Sequence, residues 1–228
     1  QPEKGNMLVL LKRDGSGDPL ILETETAWMW HSLNAYKKNG EIIADFVGYE
    51  NPDHFIGDDP TFSAIMSGRS VVSKYNGEIR RYRIDIKNKR IQQTVLDQGS
   101  HEFPIVNPQH SYHTHRYGYF AAGHGKADAS LFSQIKRLDF QSGKTAVYNF
   151  GEGYFCGEPV FAPKPDFRYN PESAEEPGWI LTQVYDSHTH KNFLAVLDAE
   201  HLADGPLALI HHTHHLPFGL HGWWSGIS

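Results

Sequence analysis

The chain has almost no cysteine, no long apolar run and no excess of positive charge. Its single cysteine, Cys156, cannot form an internal disulfide, which fits a reducing compartment, so we expect a cytoplasmic location. It shows no signal-peptide pattern and no run of about 18 apolar residues, which gives no support for secretion or membrane spanning and leaves peripheral membrane contact open. The formal net charge of −6 argues against nucleic acid as the partner, because phosphate binding needs a basic surface.

Several motifs of common enzyme classes are also missing. We find no phosphate-binding loop, no Rossmann glycine fingerprint, no nucleophile elbow and no Cys-x-x-Cys pair. What the sequence does contain is enough apolar material for a core, since 39% of its 228 residues are hydrophobic and 13% are aromatic. It also contains 15 histidines, which is an unusual number, although the cluster His211–His215 inflates the count.

Alternating polar and apolar residues, separated by short turns, predict antiparallel hairpins. Asn39–Gly40 is a strong hairpin turn signal, because both residue types tolerate a positive φ. This turn separates Asn34–Tyr36 from Ile42–Phe46. The pattern recurs at Tyr82–Ile86 with Ile91–Leu96, at Ile135–Phe140 with Thr145–Tyr148, and at Phe193–Asp198. We therefore expect an all-β chain.

The hairpins recur at a regular interval. Asp85, Asp139 and Asp198 occupy matching positions and follow one another at nearly equal spacings. Glu102–Pro108 and Glu158–Pro163 each open a predicted strand, and the same interval separates them. Repeats of about 40–50 residues, each a small antiparallel sheet, are typical of a β-propeller. Units of about 57 residues would divide this chain into four blades; the alternative is a β-sandwich with hairpins that are similar by coincidence.

Two histidines and two glutamates recur at about one per repeat. His31, Glu102, Glu158 and His221 follow one another at similar spacings, each close to the length of one unit, which favours one polar residue per unit converging on a shared centre. Imidazole is a good ligand for iron, zinc, copper and nickel. Carboxylates commonly lie behind ligating histidines and orient them. The spacing therefore indicates a metal centre.

Each of these residues also has a plainer interpretation. His31 would be a core histidine bonded to backbone, and period-two alternation places it on one strand face with Met29 and Leu33. His221, between Gly219 and Gly222, would be an ordinary histidine of the last strand. Glu102 and Glu158 would form structural salt bridges, because a glutamate among apolar residues is costly to bury unless it is paired.

The remaining histidines are given no catalytic role. His211–His215 resembles a metal site, but Pro217 interrupts the strand towards His221, and we interpret these residues as solvated edge histidines. The spacing of His110, His113 and His115 fits neither one helix face nor one strand face. His188 and His190 are expected beside a hairpin turn.

Six segments, in the right order over nearly the whole chain, resemble the carotenoid cleavage oxygenases, a family that includes lignostilbene dioxygenases and the retinal pigment epithelium isomerase. They are Trp30–Tyr36, Glu102–Asn107, Arg116–Tyr119, Gly157–Phe161, Gly178–Leu181 and Leu216–Gly222. The resemblance implies a seven-bladed β-propeller, of which this chain would supply about four blades. It covers only the C-terminal half of the family.

The resemblance also implies a function. Four histidines of the family hold a non-haem Fe(II), and His31 and His221 look like the third and fourth of them. Glu102 and Glu158 look like glutamates that hydrogen-bond to ligating histidines, and Phe103 would line the substrate tunnel. The expected reaction is cleavage of a C=C bond of an apolar carotenoid, apocarotenoid or stilbene-type substrate by O2, giving two carbonyl products.

Residues 1–228 would then form one propeller domain that is incomplete at its N-terminus, with the other metal ligands upstream. We expect the isolated chain to be inactive and its open blades to self-associate, because they would expose strand edges and apolar faces. Two alternatives remain: a non-catalytic propeller fragment or binding module, and a lactonase-type propeller hydrolase that uses calcium or zinc.

Overall fold

Antiparallel strands dominate the computed structural model, which describes residues 1–50, 52, 63–64, 67, 76–123, 131–166, 168, 170 and 177–226. Within these residues fifteen strands form four sheets that follow one another along the chain. Short 3₁₀ turns occur at Pro2–Lys4, Pro108–His110 and Leu202–Asp204. None of the described helical segments has the length and apolar character needed to cross a membrane.

The four sheets have two, four, four and five strands. The first contains β1 (Asn6–Leu10) and β2 (Leu20–Thr24). The second contains, in spatial order, β3 (Trp28–Lys38), β4 (Glu41–Tyr49), β5 (Glu78–Asp85) and β6 (Arg90–Asp97). The third contains β7 (His101–Ile105), β8 (Tyr117–Ala122), β9 (Gln134–Asp139) and β10 (Thr145–Asn149). The fourth contains β11 (Tyr154–Cys156), β12 (Val160–Pro163), β13 (Gly178–Asp186), β14 (Lys191–Asp198) and β15 (Pro206–His211).

The hairpins predicted from alternation are confirmed. Lys38 pairs with Glu41 across a two-residue loop, in which Asn39 and Gly40 have φ values of 52° and 84°. Positive φ at both loop residues is the geometry that the Asn-Gly pair favours, and it matches the twist of the two strands. The other two predicted hairpins are β5–β6 and β9–β10.

The repeated aspartates share one structural task. Asp85, Asp139 and Asp198 are the last residues of β5, β9 and β14. The carboxylate of each accepts a hydrogen bond from a backbone N–H in the turn that follows, at 2.8 to 3.0 Å. Aspartate favours turns through this type of bond. The spacing read from the sequence therefore reports the same turn in three successive sheets.

Apolar clusters join each sheet to the next one along the chain. Leu22 of the first sheet packs with Phe46 and Tyr82 of the second. The second packs against the third through a cluster of Val47, Tyr49, Ile79, Phe120 and Leu138. The third and fourth share the largest cluster, which includes Tyr119, Ile135, Phe161, Ile180 and Leu197. Both inner sheets are thus covered on two faces, which is how propeller blades pack and is not how a two-sheet sandwich packs.

A buried ion pair holds the second sheet to the loop before β8. The Asp45 carboxylate accepts two hydrogen bonds from Arg81, at 2.6 and 2.8 Å, and lies 3.2 Å from Nε2 of His115. Burial opposes the charged form, but these partners outweigh it and lower the pKa of Asp45. The Asn34 amide adds hydrogen bonds to the carbonyl oxygens of His110 and His113. His110 and His115, which had no role in the sequence analysis, are thus buried parts of a structural network.

Replacing Asp45 by Asn should destabilise the chain by about 3–5 kcal/mol, because the Arg81 charge would lose its partner inside the protein. Urea unfolding followed by circular dichroism measures this change. Glu41→Gln is the matched control, because it breaks the more exposed Arg83–Glu41 pair of the same sheet and should cost less than about 1 kcal/mol. Equal losses for the two variants would contradict the structural role of the buried pair.

Candidate metal centre

The four residues singled out by their spacing come together as two histidine–glutamate pairs. Nδ1 of His31 lies 2.5 Å from Oε2 of Glu102, and Nδ1 of His221 lies 3.1 Å from Oε1 of Glu158. The two pairs meet through the other ring nitrogens, because Nε2 of His31 is 3.3 Å from Nε2 of His221. Residues from the second and third sheets, from the connection between β11 and β12 and from the segment after β15 thus reach one point.

Two irregularities in β3 aim His31 at this point. The pairs Met29–Gly48, Ser32–Phe46 and Asn34–Asp45 show that β3 carries an extra residue on each side of Ser32. Bulges of this kind redirect side chains and are frequent near active sites. The predicted alternation is therefore wrong here: Met29 is exposed, while Leu33 packs beside Trp28 and Trp30.

Glu102 is held on both oxygens. It is the second residue of β7 and is buried, with 7% of its surface exposed. The Tyr49 hydroxyl donates to Oε1 at 3.0 Å, and the Phe103 backbone N–H donates to Oε2 at 2.7 Å. Phe103 has a left-handed backbone conformation, with φ of 51°, which costs a non-glycine residue about 1–3 kcal/mol and is found most often at functional sites.

Glu158 anchors the second pair from the connection between β11 and β12. Its Oε2 accepts the backbone N–H of Gly222 at 2.6 Å, so one carboxylate holds both the His221 ring and the backbone beside it. The segment that carries His221 crosses the fourth sheet. Its Leu216 N–H donates to Asn192, and its Phe218 ring lies 5.7 Å from that of Tyr185.

The hydrogen bonds to the carboxylates determine which nitrogen of each histidine ring carries the proton and which carries the lone pair. A carboxylate can only accept, so each Nδ1 carries a proton and each neutral ring presents its Nε2 lone pair. The hydrogen bond to Glu102 raises the pKa of His31 despite partial burial, and the charges of Glu102 and Glu158 add to the effect. When both rings are neutral, the two Nε2 lone pairs face each other across 3.3 Å, an arrangement that a shared cation, either a proton or a metal ion, would stabilise.

The donors fit a metal ion in kind and spacing. Two nitrogen ligands at about 2.1 Å from one ion, in neighbouring positions, lie about 3 Å apart. Ligating histidines also commonly donate their second N–H to a carboxylate, as both rings do here. Among the described residues, however, no group of three or more His, Cys, Asp or Glu side chains is placed to hold an ion. His31 and His221 would therefore supply two of the ligands that a full site needs.

Aromatic side chains surround the pair. The Phe103 ring lies 5.3 Å from His31, 6.0 Å from His221 and 6.2 Å from Phe132. A cleft of about 250 Å³, lined in part by His221 and Glu158, lies between the segment after β15 and the fourth sheet. Its apolar lining includes Val160, Leu181, Leu194, Phe218 and Trp224. The ring predicted to line a substrate path thus stands directly beside the two imidazoles.

The other histidines considered in the sequence lie away from this pair. His211, His214 and His215 are exposed at and beyond the end of β15, where solvated edge histidines were expected. His188 and His190 lie within the turn between β13 and β14, and Nδ1 of His190 lies 2.8 Å from the Tyr185 hydroxyl. Sequence reasoning missed Tyr49 and the backbone N–H of Gly222, because neither residue type signals a partner that is so distant along the chain.

Comparison with known proteins gives the family context. A family model described as retinal pigment epithelial membrane protein matches residues 1–226. Apocarotenoid-15,15'-oxygenase of Synechocystis sp. is 29% identical over 224 residues, which cover 98% of this chain and 44% of that protein. Isoeugenol monooxygenase of Pseudomonas nitroreducens is 26% identical over 235 residues, which cover 98% of this chain and 47% of that protein.

A solved structure shows the same relationship in three dimensions. Cobalt-substituted Synechocystis ACO superposes on this chain with a TM-score of 0.88 and 27% sequence identity. The match covers 100% of this chain and 45% of that one, so the chain spans less than half of the relative's length. The prediction of an all-β propeller, present here as about four blades, is confirmed by this superposition and by the sheet packing.

In the metal-free chain, the pKa of His31 should lie above its ordinary value of 6.5. Glu102→Gln should lower it, because the charged acceptor is lost while partial burial of the ring remains. Titration of the histidine ring resonances by NMR measures both values. In the matched control, Glu158→Gln, the drop should be smaller, since Glu158 contributes only a distant charge to His31. A His31 pKa at or below 6.5 in the unmodified chain would refute this account of the pair.

Proposed function

The chain belongs to the retinal pigment epithelial membrane protein family, whose members include carotenoid cleavage oxygenases, and we propose that it forms part of a non-haem Fe(II) dioxygenase. The proposed reaction is cleavage of a C=C bond by O2 to give two carbonyl products. The observation that carries the proposal is the meeting of the two Nε2 atoms of His31 and His221, each ring being backed by a glutamate.

Each residue of the site has a defined task in this proposal. His31 and His221 would hold the iron through Nε2. Glu102 and Glu158 keep the protons on Nδ1, which fixes the tautomer of each ring and raises the basicity of its free nitrogen. The bound iron would supply the redox chemistry that O2 requires. The protein itself would supply binding, orientation and exclusion of water.

The substrate class follows from the relatives and from the surroundings of the site. The names of the matching proteins refer to apocarotenoids, carotenoids and isoeugenol. The Phe103 ring packs against both imidazoles and offers an apolar wall without a competing hydrogen-bond donor. We therefore propose an apolar alkene of the carotenoid, apocarotenoid or stilbene type.

Activity is proposed for a protein of the relatives' length, located in the cytoplasm, in which residues 1–228 belong to one propeller domain. By itself this chain would offer two histidines to the ion and turn over poorly. Apolar side chains are exposed on both terminal sheets: Met7, Val9 and Ile21 on the first, and Leu207, Leu209 and Ile210 on the last. Exposed sheet faces of this kind favour self-association of the isolated chain.

The reaction is tested directly in the full-length protein after anaerobic loading with Fe(II). We expect an apocarotenoid or a hydroxystilbene to give two carbonyl products, detected by mass spectrometry, only when O2 is admitted. The double variant His31→Ala, His221→Ala should lose the activity, while His214→Ala, which removes an exposed histidine, should keep it. Equal turnover by both variants would reject the proposed site.

Glu158→Gln in the same protein should weaken iron binding or turnover by about 10–100-fold, because the carboxylate no longer holds the proton on Nδ1 of His221. Iron content after desalting and initial rates measure the two effects. Glu152→Gln changes an exposed glutamate in the neighbouring turn and serves as the matched control. Normal iron content together with a normal rate in Glu158→Gln would remove this residue from the site.

A further inference from the structure

The Glu102 carboxylate accepts a hydrogen bond from the Tyr49 hydroxyl in addition to its contact with the His31 ring. From this extra bond we propose that Tyr49 is a positioning residue, which fixes the plane of the Glu102 carboxylate and, through it, the orientation and tautomer of His31. The inference deepens the proposed function, on which it rests for the role of His31 as a ligand.

The two oxygens of Glu102 have separate partners. Oε2 faces Nδ1 of His31 at 2.5 Å and the N–H of Phe103 at 2.7 Å. Oε1 accepts only from Tyr49 among the hydrogen bonds resolved at this carboxylate, at 3.0 Å. A carboxylate is planar, so a donor on each oxygen stops rotation about its last side-chain bond. Without Tyr49, only the Oε2 side would be fixed.

Tyr49 is itself firmly held. It is the last residue of β4, it is 6% exposed, and it packs in the cluster with Val47, Ile79 and Phe120. The backbone closes over its hydroxyl, since a Cβ added at Gly77 would come within 3.0 Å of the hydroxyl oxygen and 2.1 Å of the His101 carbonyl oxygen. The close approach of the Gly77 backbone and the packing of the ring therefore restrict movement of the Tyr49 hydroxyl away from Glu102.

The direction of this hydrogen bond is also determined. Burial and the neighbouring Glu102 charge raise the pKa of Tyr49 well above its ordinary value, so the phenol keeps its proton and donates. If the hydroxyl were removed, Oε1 would be a buried acceptor without this partner, and that costs free energy. The carboxylate would then turn to find another donor, and its alignment with Nδ1 of His31 would loosen.

The second pair shows why a side-chain donor is needed here. In Glu158 the oxygen not facing the histidine receives the Gly222 backbone N–H, which belongs to the same segment as His221. Among the described residues no backbone N–H donates to Oε1 of Glu102, and the Tyr49 hydroxyl takes that place from β4 of the second sheet. Both carboxylates are thus fixed on two oxygens, one by backbone and one by a phenol.

The test uses Tyr49→Phe in the 228-residue chain, which removes one oxygen atom and keeps the ring. Tyr82→Phe is the matched control, because Tyr82 is a buried tyrosine of the same sheet, stacked on Phe46 at 4.6 Å. Long-range proton–nitrogen NMR of the metal-free chain reports the tautomer of each histidine, and His31→Gln assigns the His31 signal. We expect Tyr49→Phe to convert the single Nδ1–H tautomer of neutral His31 to a mixture, and Tyr82→Phe to leave it unchanged.

Metal binding gives a second and separate readout. With cobalt(II) as the probe, Tyr49→Phe should weaken binding about three- to tenfold, less than the 10–100-fold typical of losing the carboxylate itself. In a Glu102→Ala background the same substitution should have no further effect, because Tyr49 acts only through Glu102. An additional loss in that background would show a general packing effect and overturn the proposal.

The outcomes distinguish the positioning role of Tyr49 from the metal-binding role of His31 and His221. An unchanged His31 tautomer in Tyr49→Phe overturns the positioning role, even if cobalt still binds through His31 and His221. A changed tautomer in a chain that binds no cobalt supports the positioning role and counts against the metal site instead. Equal changes of the His31 tautomer ratio in Tyr49→Phe and Tyr82→Phe overturn the positioning role. They would show that losing either buried hydroxyl disturbs the sheet in general.

Discussion

A buried carboxylate must be surrounded by donors, and this requirement at Glu102 shapes the protein around the site. Three donors satisfy it: the His31 ring, the Phe103 backbone and the Tyr49 hydroxyl. Each requires an irregular or closely packed feature nearby, namely the bulges of β3, the left-handed conformation at Phe103 and the close approach of Gly77. Regular strands would not supply this geometry, so the strands around Glu102 depart from ideal sheet structure in order to bring the three donors to it.

A second buried carboxylate fixes the arrangement of the strands around the first. Asp45, the cross-strand partner of Asn34, contacts Arg81 and His115, and Asn34 joins β3 to the loop before β8. Asn34 is close to His31 on this strand, so the loop, the sheet and the proposed ligand are held together as one unit. Buried ion pairs are weak evidence for net stability, but they do select one arrangement of the strands that carry them.

The sequence predicted the features whose interacting residues are close to one another along the chain. Asn39–Gly40 predicted a turn because its conformational preference is local, and Asp85, Asp139 and Asp198 recur because each binds the turn next to it. The convergence of His31 and His221 was predicted from spacing, since repeats place equivalent residues at equivalent points. The bulges in β3 were not predicted, because strand register depends on the partner strand. Tyr49 and His115 were missed for the same reason: their partners are distant in sequence.

The two imidazoles differ in how firmly the protein holds them, and this difference bears on metal binding. The His31 side chain is 30% exposed and lies in a strand, whereas that of His221 is 58% exposed and lies in a segment outside the strands. His31 is therefore the more preorganised donor. An ion bound to both would link two segments 190 residues apart, and part of its binding free energy would order the segment around His221. In the proposed site, metal affinity and the order of that segment would thus be coupled, and Glu158 would join them because it binds both the His221 ring and the Gly222 backbone.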